Sequence, residues 1–175
     1  MVKCNLNVIL AQKNLKISQV SKATKISRTT LHALASNLGQ GVQFDTLDKL
    51  CMFLNITPQE LFIYVPIDIK IDLVFSGEFF KANFTLTEFS KKKDYIISGD
   101  YISSTDENGK LTYLEVALDN DIDSQAMEFF DRIRKLPQIF ISSIEERLLL
   151  EVINRFPGMS SPKIHPLVWP DYFFK

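Results

Sequence analysis

The 175 residues predict two folded parts. Residues 1–66 read as an all-α domain of five helices. Residues 67–175 read as an α+β domain, an antiparallel four-stranded sheet with two helices and an extended tail. Three observations carry this division. Apolar residues up to Leu61 recur at the spacing of amphipathic helices. At Ile67 the period drops to two, with Ile67-Asp68-Ile69-Lys70-Ile71-Asp72-Leu73 alternating strictly, as a half-buried strand requires. From Ala126 to Ile153 helical spacing returns, ahead of a proline-rich end.

Composition fits two folded parts. The chain is 46% hydrophobic with 14 Phe, enough to bury a core. Cys4 and Cys51 are too few and too scattered for a disulfide frame or a zinc site, and read as buried thiols. With no long apolar run at the N-terminus and nothing approaching a membrane span, the expected location is cytoplasmic. The net charge of −1 hides an asymmetry. Residues 1–65 hold seven basic and three acidic side chains, a net +4, leaving thirteen basic and eighteen acidic, −5, for the rest. A basic head on an acidic second part suits contact with a polyanion through the head alone.

The first helix spans about Asn5 to Lys13 on Leu6, Ile9 and Leu10, closed by Asn14. Leu15–Ser36 then reads as two short helices joined by a tight turn. Val20, Ala23 and Thr24 make one face of the first small or apolar. The break falls at Lys25-Ile26. Ser27 is the expected N-cap of the next helix, and Ile26 can staple onto Leu31. Leu31 and Leu34 face inward, leaving Arg28, Thr29, His32, Ala33 and Ser36 outward. Asn37–Gly41 forms a glycine-punctuated loop. Asp45 is the expected cap of a fourth helix that buries Leu47, Leu50, Cys51 and Leu54. Thr57-Pro58-Gln59-Glu60 opens a fifth with a capping box and proline at its first position.

Asn5–Tyr64 resembles the lambda-repressor-like helix-turn-helix domain of phage repressors and XRE-type regulators. The resemblance rests on Val20 and Ser21, Ile26 of the turn, Ser27-Arg28-Thr29-Thr30-Leu31, Phe44–Cys51, and Ile56–Phe62. It implies an operator-binding transcriptional regulator, with double-stranded DNA as partner and the Ser27–Ser36 helix in the major groove. Ser27, Arg28, Thr29 and His32 are then expected to contact bases. Ser18, Lys22, Asn37, Gln40 and Gln43 are expected at phosphates. The family usually has glycine where Lys25 stands, so Lys25 is expected at positive φ. Ile17 replaces a glutamine that touches phosphate in many relatives, and no such contact is assigned to it.

In the second part, Phe80, Ala82, Phe84 and Leu86 line a second strand, and Tyr95–Ile102 and Leu111–Leu118 supply two more. Lys91-Lys92-Lys93 reads as a solvated loop between strands. Ala126, Phe129, Phe130 and Ile133 mark a helix before Pro137. Ser143-Ile144-Glu145-Glu146 reads as the capping box of a longer one. The tail holds Pro157, Pro162, Pro166 and Pro170 with Trp169, Tyr172, Phe173 and Phe174, and is expected to be extended.

Two histidines and no phosphate-binding glycine loop leave no catalytic residue, metal ligand or cofactor to assign. The sequence has no Ala-Gly pair of the kind at which some phage repressors cleave themselves. The expected protein is a phage- or mobile-element-type repressor acting as a homodimer, its aromatic tail packing on the chain's own sheet or closing over a partner's. Two alternatives give residues 67–175 other work: capping the toxin of a toxin–antitoxin pair, or binding a small molecule or other antagonist.

Overall fold

The structure is a computed structural model that describes residues 1–39 and 41–174. It divides into two compact units, Met1–Val65 and a second from Pro66 onward.

In the first unit the helices are α1 (Leu6–Gln12), α2 (Ile17–Thr24), α3 (Arg28–Ala35), α4 (Phe44–Leu54) and the single turn α5 (Pro58–Leu61). A two-stranded sheet accompanies them, absent from the sequence reading: β1 (Val2–Cys4) pairs antiparallel with β2 (Phe62–Tyr64). Each strand is three residues long, too short to show a period. Leu6, Val20, Leu31, Leu50 and Leu61 are fully buried at the centre of the unit. The capping box at α5 forms as expected, with the Glu60 carboxylate accepting from Thr57 N–H at 2.6 Å and Thr57 Oγ1 at 2.9 Å. The cap of α4 does not. Gln43 occupies the N-cap position, while Asp45 lies inside the first turn and pairs with Lys49 at 2.7 Å. That i,i+4 pair and the helix dipole account for an aspartate there without a capping role.

The second unit is a mixed five-stranded sheet rather than an antiparallel four-stranded one, in the order β3-β4-β5-β6-β7. β3 (Ile67–Ser76), β4 (Phe79–Glu88), β5 (Lys91–Thr105) and β6 (Leu111–Leu118) form an antiparallel meander. β7 (Met159–Ile164) adds parallel to β6, reached through α6 (Ser124–Ile133) and α7 (Gln138–Ile153). The fifth strand was hidden by Ser160, Ser161 and Pro162, which read as loop; an edge strand tolerates such a proline because one side of its backbone faces solvent. Lys91-Lys92-Lys93 is not a loop but the start of β5, opposite Thr87 and Leu86 of β4. Helix α7 begins after Pro137, five residues before the expected capping box, because Phe140 and Ile141 extend the same buried stripe as Ile144, Leu148 and Val152. Ser143 therefore lies inside that helix. Asp123 caps α6, its carboxylate accepting from Ala126 N–H at 2.7 Å.

Phe84, Tyr95, Phe129, Phe130 and Phe140 fill the space between sheet and helices, each with essentially no exposed surface. The tail is only partly extended: it supplies β7 and ends in a 3₁₀ turn at Asp171–Phe174. Its aromatics pack on their own chain. Trp169 stacks on Phe173 at 4.2 Å, meets the edge of Phe130, and donates to Glu145 at 2.6 Å. Leu167 and Trp169 of the tail are thus buried within their own chain, while Phe174 stays 76% exposed.

Candidate nucleic-acid interface

Helices α2 and α3 are held at a fixed angle by the three residues between them. Lys25 takes the left-handed conformation at φ 61°, the role the resemblance assigns to glycine. A lysine there costs roughly 1 kcal/mol relative to glycine. Three side-chain bonds offset that strain. Thr24 Oγ1 donates to Val20 O at 2.8 Å and accepts from Ile26 N–H at 3.3 Å, and Ser21 Oγ donates to Ile26 O at 2.7 Å. Thr24 is the one buried polar residue of the described core, and both capacities of its hydroxyl are satisfied within the turn.

Ser27 caps α3 as expected, its Oγ accepting from Thr30 N–H at 3.0 Å. The same oxygen lies 2.8 Å from Thr30 Oγ1. These bonds give the Ser27 hydroxyl a structural role at the helix start. Leu31, Leu34 and Ala35 anchor the inner face of α3, and Asn7 Nδ2 ties its end by donating to Ala35 O at 2.9 Å. Arg28, Thr29 and His32 are all exposed on the opposite face. A rigid helix thus presents a guanidinium, a hydroxyl and an imidazole together to solvent, a set able to bond the edges of bases.

The residues expected at phosphates divide. Ser18 and Lys22 are exposed on α2, and Gln43 is exposed where the loop enters α4. Gln40 lies outside the described residues. Asn37 has different work. It is half-buried at φ 55°, just past α3. Its amide clamps the backbone of β1: Cys4 N–H donates to Asn37 Oδ1 at 2.6 Å, and Asn37 Nδ2 donates to Cys4 O at 3.0 Å. The clamp uses the amide oxygen and one of the two amide N–H groups, a structural role beside the one expected. Sequence reasoning missed this because the partner lies 33 residues away, in a strand with no visible period.

Phe44 and Met52 on α4 are 88% and 75% exposed, so the apolar residues of this unit are not all absorbed by its core. Burial pushes the thiol of Cys4 above its ordinary pKa, and that of Cys51 is raised by burial with Asp48 and Glu60 adding to it. Neither is an activated nucleophile. No group of three His, Cys, Asp or Glu able to hold a metal occurs among the described residues.

Residues 5–66 match the Cro/C1-type HTH DNA-binding domain. No curated protein and no solved structure gives a significant match to the chain. Among the described residues no helix is long and apolar enough to cross a membrane. The N-terminal unit is thus a lambda-repressor-like helix-turn-helix domain, and the chain carries the DNA-binding part of a transcriptional regulator.

Proposed function

We propose that this protein is a sequence-specific repressor that binds its operator as a homodimer. The observation that carries the reading is the exposed triad Arg28, Thr29 and His32 on a helix whose start, turn and inner face are all locked. Arg28 is the longest donor near the start of α3 and takes the role of reading a base edge, with Thr29 and His32 beside it. Ser18, Lys22 and Gln43 hold the backbone on either side and set register without reading sequence. The net charge of +4 over residues 1–65 favours this head at phosphates, and the −5 of the remainder keeps the second unit away from them. Repression follows by occupying a site that polymerase needs. The second unit carries no catalysis in this reading and serves to join two heads.

The test begins with operator selection from a random duplex library by the purified protein. Arg28→Ala should then lose about 1–3 kcal/mol on the selected site and relax preference at one base pair, with little change on a scrambled duplex. Equal losses on both duplexes would assign Arg28 to phosphate instead.

A further inference from the structure

Strand β3 is the first strand of the five-stranded sheet and has a neighbour on one side only. Its outer edge pairs with no strand among the described residues, and such an edge is a template for another strand. The phase of its backbone follows from the turn to β4. Ser76 and Phe79 face one another across the two residues Gly77 and Glu78, which makes them a hydrogen-bonded pair. Even-numbered residues of β3 therefore bond to β4, and odd-numbered residues turn their N–H and C=O outward. The Ile69 carbonyl confirms this phase, since it accepts from Arg147 Nη1 of α7 at 2.7 Å instead of from β4.

On the sheet face away from the helices, β3 presents Asp68, Lys70 and Asp72, all exposed. Neither Lys70 nor Asp72 has an ion-pair partner among the described residues. We propose that β3 pairs antiparallel with β3 of a second copy about a two-fold axis at Ile71, joining the two sheets into one of ten strands. This rests on the dimeric reading above and gives it a surface.

The charges choose the register. Centred on Ile71, Lys70 of each copy faces Asp72 of the other, twice, and nine residues from Ile67 to Phe75 overlap. Shifting the axis to Lys70 sets lysine against lysine and Asp68 against Asp72. Shifting it to Asp72 sets aspartate against aspartate. Centring on Ile69 restores opposite charges, Lys70 on Asp68, but discards half of the overlap. In the favoured register the Lys70–Asp72 positions are non-hydrogen-bonded pairs, the closer of the two kinds, with side chains in direct reach. The helix layer supplies a second contact. Arg147 points at this edge, and Leu150 one turn on shares that side of α7 and is 54% exposed. The same two-fold axis brings two copies of this surface together on one face of the joined sheet.

The pairing also sets where the two chains enter. Ile67 of one copy lies beside Phe75 of the other, so the two Ile67 positions are eight residues apart along the ribbon, about 27 Å.

Sedimentation equilibrium of the full chain tests the proposal with K70E, D72K and the double swap K70E/D72K. The parent chain should be a dimer. Each single change sets two like-charge pairs at the axis and should raise the dissociation constant about tenfold, and the double swap should recover the parent value. L150E, on the helix rather than the strand, should also weaken the dimer. A monomeric parent chain, single variants that dimerise unchanged, or a double swap that fails to recover would each overturn it. Binding of a short mixed-sequence duplex at low salt, followed by anisotropy, is measured on the same samples. A dimer that fails to bind duplex would refute the DNA-binding reading and leave the pairing standing, whereas monomeric K70E should still bind.

Discussion

Replacing Asn37 by alanine separates a structural role from a phosphate-binding one. The side chain makes two bonds to Cys4, at 2.6 and 3.0 Å, and both partners are backbone groups of a short strand. Each such bond contributes about 1 kcal/mol net. The residue sits at φ 55°, where alanine is about 1 kcal/mol less favourable than asparagine. Asn37→Ala should therefore destabilise the protein by ~3 kcal/mol, while Asn37→Gly, relieved of the backbone strain, should lose ~2 kcal/mol. Asn37→Asp keeps an acceptor for Cys4 N–H but sets carboxylate oxygen against Cys4 O, and should be no better than alanine. Urea unfolding of full-length variants, with tyrosine and tryptophan signals separating the two units, gives these differences. Duplex affinity gives the alternative: were Asn37 a phosphate contact, Asn37→Ala would weaken binding to all duplexes alike, with the salt slope unchanged because the amide is neutral. Unchanged stability with uniformly weaker binding would refute the clamp.

Lys22→Ala should weaken binding to all duplexes alike and lower the salt slope by about one unit, with stability unchanged; a constant slope would remove Lys22 from the interface. Gly99 has no space for a side chain, since a Cβ there would lie 2.4 Å from Ala117 O and 2.6 Å from the Phe80 ring. Gly99→Ala should destabilise the second unit by about 3 kcal/mol, read as a lower unfolding midpoint. Burial, and then the bond to Glu128, push the Tyr95 hydroxyl up to about 12. Because its folded value is raised, its stabilisation is complete below the ordinary tyrosine value near 10 and is lost as pH rises toward 12. Tyr95→Phe should flatten that alkaline loss, amounting to about 3 kcal/mol, when unfolding is followed from pH 9 to 12.

The helices of the first unit were legible because short-range patterns determine them. Leu6, Ile9 and Leu10 are spaced for one face, Ser27 precedes a helix it caps, and Thr57 and Glu60 stand at the spacing of a capping box. Where two local signals competed, the reading failed. Asp45 looks like a cap, yet the helix begins one residue earlier. Ser143 also looks like a cap, yet Phe140 and Ile141 extend the buried stripe past it, and apolar packing outweighs a single cap. The strands from Ile67 to Leu118 declared themselves by alternation. β1, β2 and β7 did not, because each is specified by its neighbour more than by its own pattern.

The site divides along the same line. That Arg28, Thr29 and His32 stand exposed on α3 followed from helical phase, since Leu31 and Leu34 fix which side is inward. Lys25 at positive φ followed from the resemblance, which has glycine there, and the bonds made by Ser21 and Thr24 explain how a lysine is tolerated. Ser27 was legible as the cap of α3, and Asn37 as a polar residue near a recognition helix but not as a clamp on β1. Both were candidates for DNA because both carry free-looking donors and acceptors in sequence. Ser27 finds its partners three residues away and Asn37 finds its own 33 residues away. A polar side chain can contact DNA only with capacity left after the fold has used what it needs, and that remainder is a tertiary property. By this criterion the proposed interface keeps side chains whose polar ends make no bond within the described residues. Arg28, Thr29 and His32 meet it on α3, Ser18 and Lys22 meet it on α2, and Gln43 meets it before α4. The proposed junction between copies obeys the same rule in reverse: Asp68, Lys70 and Asp72 of β3 have no ion-pair partner among the described residues, and Lys70 and Asp72 are each the complement the other needs.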